Sequence, residues 1–245
     1  MSTQAGWNQI AADWSRLIDL WPDGCFAGFV ENEIVATATL ASYGANLAWV
    51  GMVLVDERCR GRGFGGVIFD TAMQHAAQLG CRSVGLDASD LGRPVYLKRG
   101  FADGPIIRRH ALPAGATRRG ENGADPLAVD RDWSALIDLD RTAVGVDRER
   151  LLAHFRDESG TVCRVVRSGD QIVGYAFRRR GRTADQIGPV VATDVYTAQR
   201  LIASLASCDA STDLLIDCPD RRLDPWLAEQ GVVVSRQLVR MDNSP

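Results

Sequence analysis

The chain has 245 residues, 46% hydrophobic and 24% charged, a make-up that suits one large or two small globular domains and excludes disorder and fibrous repeats. Its 28 basic and 31 acidic residues leave a net charge of −3, so no global attraction draws it to nucleic acid. Six cysteines without a C-x-x-C pair and three histidines far apart in sequence exclude zinc spacing, and no metal is expected. The opening MSTQAGWNQIAADW is not a signal peptide, and no apolar run reaches the roughly 18 residues of a membrane span, so a cytoplasmic protein without a membrane partner is expected.

Ile10 to Leu20 places apolar residues at helical spacing, and Pro22-Asp23-Gly24 ends that helix in a turn. CFAGFV and EIVATATL read as two strands, and AWVGMVLV, Ala48 to Val55, as a third and central one, so the three suggest a meander. After DERCRGRGFGG a helix runs through VIFDTAMQHAAQ to a stop at Gly80. SVGLDAS is a strand, RPVYLKRG a short helix, and a final strand surrounds GPIIRRHAL.

LPAGATRRGENGADP has the composition of a linker and divides the chain into residues 1–112, a linker 113–126 and residues 127–245. The second half repeats the first: DQIVGYAF parallels NEIVATAT, LLIDCP parallels VGLDAS, and DPWLAEQGV parallels RPVYLKRGF. Val35 to Asp87 spans 52 positions but Val173 to Asp217 only 44, and the eight missing residues fall where the glycine-rich loop would be. The expected fold is mixed α/β, with a mostly antiparallel sheet flanked by helices, present twice in tandem.

Arg60-Gly61-Arg62-Gly63-Phe64-Gly65-Gly66 lies between a buried strand and a helix start. There, glycine-permitted backbone lets amides converge on an anion at the positive end of the helix dipole. Arg60 and Arg62 can add charge-assisted hydrogen bonds, and a diphosphate is the natural ligand. The spacing Gly61-x-Gly63-x-x-Gly66 with Asp87 downstream also fits a dinucleotide-binding oxidoreductase. However, five residues separate Val55 from the first glycine, and the preceding strands are hairpin-like.

At these residues the sequence resembles the GNAT acyltransferase superfamily, whose coenzyme A loop, Arg/Gln-x-x-Gly-x-Gly/Ala, is met by Arg60, Gly63 and Gly65. The family's later Tyr-x-x-x-Gly-Phe stretch is met by Tyr96, Gly100 and Phe101. The resemblance implies an N-acetyltransferase that moves an acetyl group from acetyl-CoA to a primary amine by direct attack. It implies that Met52, Val53, Leu54 and Val55 form a splayed strand edge that pairs with pantetheine, and that the amides of Gly61 to Gly66 hold the pyrophosphate. It also implies that Tyr96 protonates the leaving thiolate. Some members carry a glutamate base on that strand where this chain has Trp49. Asp87 is the alternative base, although Asp217 at the matching place of the second copy points to a structural role such as turn capping.

The family's first strand is missing ahead of Gly6 to Leu20, which exposes a sheet edge that a second copy of the chain could cover as a homodimer. The second half resembles a degenerate GNAT domain without coenzyme A. The acceptor is expected to be a small-molecule or peptide amine. A non-catalytic acyl-CoA sensor is the alternative of a different class. Arg178, Arg179, Arg180 and Arg182 read as a solvated charge run, and the N-terminal tryptophans as packing.

Overall fold

The computed structural model describes residues 1–115 and 123–243. The chain forms two compact units, Met1–Ile106 with Leu238–Pro245, and Ile107–Gln237. The division therefore falls at residue 106 and not in the expected linker 113–126. Residues 116–122 of that stretch lie outside the described residues, and Asp125–Pro126 at its end forms a strand.

In the first unit, helix α1 (Ala11–Leu20) leads to strands β1 (Cys25–Val30), β2 (Glu33–Tyr43) and β3 (Leu47–Val55), an antiparallel meander. Glu31 and Asn32 both take positive φ, 48° and 68°, as a two-residue hairpin turn between right-twisted strands requires. Helix α2 (Phe64–Gln78) carries the chain over to β4 (Val84–Ala88), which runs parallel to β3, and α3 (Arg93–Leu97) follows. Alternate residues of the sheet, Ala36, Ala38 and Leu40 with Ala48 and Val50, share one core with Phe69, Ala72 and Ala76 of α2. The many alanines on both sides let helix and sheet approach closely. No strand precedes α1 among the described residues.

The expected last strand, β5 (Ala102–Leu112), is not the closing strand of this unit: from Ile107 it belongs to the second. The strand alongside β4 is instead the end of β11 (Val233–Asp242), with Val239–Asp242 antiparallel to Ala88–Gly85. Met241 is fully buried in the first core, and Asn243 exchanges two hydrogen bonds with the backbone of Val84.

The second unit repeats this plan with β6 (Asp125–Pro126), α4 (Val129–Val144), α5 (Glu149–Asp157), β7 (Val162–Ser168), β8 (Gln171–Arg179), β9 (Asp185–Ala192), α6 (Val195–Ser207), β10 (Leu214–Cys218) and α7 (Asp224–Glu229). Here β10 pairs with Arg108–Leu112 of β5, so each unit takes its closing strand from the other half of the sequence. Matching ion pairs mark the two junctions: Arg240 of β11 faces Asp87 of β4, and Arg109 of β5 faces Asp217 of β10, each in bidentate contact. The duplication also repeats an irregularity, because the register shifts opposite Ala38 in β2 and again opposite Phe177 in β8.

Two sequence readings are corrected here. Asp87 does not cap a turn; it is half of a cross-strand ion pair. Arg178 is not part of a solvated run: it is 3% exposed, paired to Asp185 at 2.8 Å, and its Nη1 donates to the carbonyls of Leu205 and Asp209 at the end of α6. The last carbonyls of a helix lack N–H donors within it, and Arg178 supplies one to Leu205 in the last turn of α6 and to Asp209 just beyond it.

Asp132 on α4 is likewise buried; burial pushes its carboxyl up, but hydrogen bonds from Arg131, Arg167 and the Ala128 amide outweigh that and bring it to about 2. A folded value below the ordinary ~3.9 gives stability that is present above that pH and is lost as pH falls towards 2. The Asp132→Asn variant should therefore lose stability at neutral pH and show a shallower decline between pH 4 and pH 2, read by thermal unfolding across that range.

Candidate active site

The connection from β3 to α2 is fixed before it reaches the glycines. Asp56 accepts hydrogen bonds from the Arg58 amide and Nε, both at 3.0 Å, and these hold its carboxyl at about 2. Arg60 is tethered to Glu57 and to the Val55 carbonyl, and the Arg62 guanidinium lies over the Phe64 ring. Gly61 and Gly63 have φ of 75° and 85°, and a Cβ at either would meet nothing. Glycine is thus required there by backbone conformation and not by space. Among the described residues, the five consecutive amides of Gly61 to Gly65 have no acceptor, while those of Gly66 and Val67 both donate to Gly63 O. Unpaired amides in series at a helix N-terminus form an anion site.

Beside this loop β3 parts from β4. The two strands pair at Ala48 with Val84 and Trp49 with Gly85, and among the described residues Val50 to Val55 has no strand partner on that side. Met52 and Val53 bulge opposite Ala38, Met52 taking a φ of 50°, and the Thr37 hydroxyl donates to the Met52 carbonyl at 2.9 Å. A non-glycine residue in this region stores about 1–3 kcal/mol, and the bulge turns the backbone of the open edge out of register. Val53 and Val55 keep their side chains against the core and Leu54 is buried, which leaves the edge itself rigidly backed.

Tyr96 sits on α3, 8% exposed, its ring 4.8 Å from Phe69 and 6.2 Å from Phe101. A Cβ at Gly92 would lie 2.9 Å from the ring, so glycine there makes room for the tyrosine. Among the described residues the phenol has no hydrogen-bond partner; burial pushes it up to about 12, with the charge of Arg99 acting in the opposite sense. Both oxygens of Asp87 are held by Arg240, at 2.9 and 3.1 Å, and Arg240 in turn lies over the Trp49 ring. Trp49 rests on Gly85, where a Cβ would come within 2.5 Å.

Among the described residues the second unit has no matching amide cluster ahead of α6 and no phenol at the place of Tyr96. Asp194 caps α6, accepting from the Thr197 amide and hydroxyl, so a carboxylate of the chain itself takes the place an anion would take. Leu227, buried in an apolar cluster, stands where Tyr96 does. Among the described residues no group of His, Cys, Asp or Glu could hold a metal, and no helix is long and apolar enough to cross a membrane.

Three parts of this site carry no local sequence signature: the positive φ of Met52, the pair formed by Arg99 and Asp70, and Arg240 arriving from the last strand. Only the repeated Arg-to-Asp match between halves could have pointed to the last.

Family models match both halves: the acetyltransferase (GNAT) family over residues 3–101 and an acetyltransferase (GNAT) domain over residues 136–245. Holothin acyltransferase of Pseudoalteromonas sp. is 27% identical over 214 residues, 87% of this chain and 71% of that protein. The uncharacterized N-acetyltransferase YitH of Bacillus subtilis is 26% identical over 234 residues, 93% of this chain and 80% of that protein. Among solved structures, a putative acetyltransferase from Pyrococcus horikoshii superposes with a TM-score of 0.81 at 21% identity, over 96% of this chain and 78% of the other. A tandem GNAT protein from the clavulanic acid biosynthesis pathway does so with a TM-score of 0.67 at 16% identity, over 99% and 91%. With the fold, the loop and the duplicated plan in agreement, the chain belongs to the GNAT acetyltransferase family and carries two such domains in tandem.

Proposed function

We propose that the first unit binds acetyl-CoA and passes its acetyl group to a primary amine within a ternary complex. The observation that carries this is the run of five unpaired amides, Gly61 to Gly65, beside the open edge of β3 and in the same unit as a buried, unpaired phenol. Acetyl-CoA supplies an activated thioester. The amides and Arg62 hold its diphosphate, and the free edge from Met52 to Val55 pairs with the amide-bearing arm. A backbone N–H of that edge stabilises charge developing on the carbonyl oxygen. Tyr96 gives its proton to the departing sulfur. The acceptor's ammonium first loses a proton to water, both oxygens of Asp87 being engaged by Arg240, and the neutral amine then attacks the thioester carbonyl.

The acceptor is a small-molecule or peptide amine, and the acyltransferase relative in Pseudoalteromonas supports the reaction class. The net charge of −3 argues against a nucleic-acid partner. The six free thiols suit a reducing cytoplasm. The outer edge of β1, last in its sheet, suits pairing with a second copy. A second reading, an acyl-CoA sensor without turnover, is favoured by Trp49 in place of a strand carboxylate.

Calorimetry with acetyl-CoA should show one site per chain at micromolar affinity, abolished in Gly63→Glu, which places bulk and negative charge among the amides. An amine screen monitored by thiol release then separates enzyme from sensor. Absence of binding by the intact chain would remove both readings.

A further inference from the structure

Gly66 differs from the other glycines of the loop. It lies inside α2 with ordinary helical backbone, so no conformational need explains it, yet a Cβ there would stand 2.6 Å from Nη2 of Arg99. The guanidinium occupies the space a side chain at 66 would take. It is held there from α2 itself: Arg99 Nε and Nη2 donate to the two oxygens of Asp70 at 2.5 and 2.8 Å, one helical turn beyond Gly66. From the other side Nη1 donates to the Val95 carbonyl at 3.2 Å, and the Arg99 amide donates to the carbonyl of Tyr96 at 2.9 Å. One side chain thus ties the first turn of α2, where the unpaired amides are, to the short segment that carries the phenol.

We propose that Arg99, seated against Gly66 by Asp70, is a positioning residue that sets the distance between the anion-binding amides and the Tyr96 hydroxyl. The proposal rests on the acetyl-CoA reading. The span from diphosphate to thioester is fixed by the covalent length of the cosubstrate, so the protein must fix the matching span between amides and phenol. A misplacement near 1 Å at such a step costs about 100-fold in rate. A five-residue helix such as α3 has too few internal hydrogen bonds to hold that span unaided. Gly66 then serves the arginine and not the phosphate.

The test uses the full chain labelled with 3-fluorotyrosine, its Tyr96 fluorine resonance assigned by Tyr96→Phe, with acetyl-CoA as the probe. The intact chain should bind acetyl-CoA and shift the Tyr96 resonance. Gly66→Ala, whose Cβ displaces the guanidinium, and Asp70→Asn, which releases it, should bind within about threefold of the intact chain but lose most of that shift. Loss of binding in Gly66→Ala would return that glycine to the phosphate site and overturn the proposal. So would an unchanged Tyr96 shift in both variants. An intact chain that fails to bind defeats the acetyl-CoA reading itself, and the proposal falls with it.

Discussion

A chain ending at Gln237 should fail to fold its first unit and should not bind acetyl-CoA, although every residue of the glycine loop and Tyr96 is retained. β4 pairs with β3 at two positions only, and its other edge is completed by Val239 to Asp242. Removing that segment leaves β4 almost without partners and takes Met241, fully buried, out of the core that contains Phe69 and Tyr96. Truncating a single buried methionine to alanine costs about 2–5 kcal/mol, and whole domains hold only about 5–15 kcal/mol. Asp87 and Val84 lose Arg240 and Asn243 as well. The expected result is loss of the cooperative unfolding transition of the first unit and loss of the calorimetric signal, with Met241→Ala as the milder case, retaining the fold at a lower Tm. A shortened chain that melts within a few degrees of the full one and still binds acetyl-CoA would refute this account of the unit. A fragment of residues 1–112, cut where composition suggests a domain ends, should fail for the same reason.

That fragment shows where sequence reasoning reached and where it stopped. The elements of the first half are legible, because each is written in local periodicity: the helical spacing of Ile10 to Leu20, the alternation along EIVATATL, the glycines between strand and helix; the helices Val129–Val144 and Glu149–Asp157 and the strands Val162–Ser168 and Val233–Asp242 are not read from the sequence. The duplication was legible for the same reason. Which strand closes which unit was not, since pairing is a long-range choice and two similar closing strands, Arg108 to Leu112 and Val239 to Asp242, carry the same pattern and the same arginine. The simplest chain path keeps the strand around GPIIRRHAL in the first half, whereas the fold gives Arg108 to Leu112 to the second unit and closes the first with Val239 to Asp242. At the site, Gly61 and Gly63 were legible as conformational glycines. Gly66 was grouped with them because spacing cannot separate a glycine needed for φ from one needed for room, and only the approach of Arg99 does so. The partner of Asp87 is not legible either, because Arg240 lies 153 positions away and no local pattern joins the two.

Tyr96→Phe should separate chemistry from folding more cleanly than any other single change. The phenol is buried, with no hydrogen-bond partner among the described residues, and its ring is packed between Phe69 and Phe101. Phenylalanine keeps the ring between Phe69 and Phe101 and removes no hydrogen bond within the described residues, so stability should change by less than about 1 kcal/mol. A tyrosine that served only to pack would therefore give a nearly silent variant. As proton donor to the departing sulfur it supplies a general acid, worth about 10²–10⁴ in rate. With its pKa pushed up to about 12 by burial the phenol stays protonated at neutral pH, as an ordinary tyrosine does, and is a weaker acid than one. Thiol release with an amine accepted by the intact chain should then fall at least 100-fold, with acetyl-CoA affinity and Tm preserved. In the intact enzyme no loss of rate from ionisation of Tyr96 should appear below about pH 11, because the group titrates above it. An activity loss accompanied by an equal loss of stability would assign Tyr96 to the core, and unchanged turnover would give the proton to solvent.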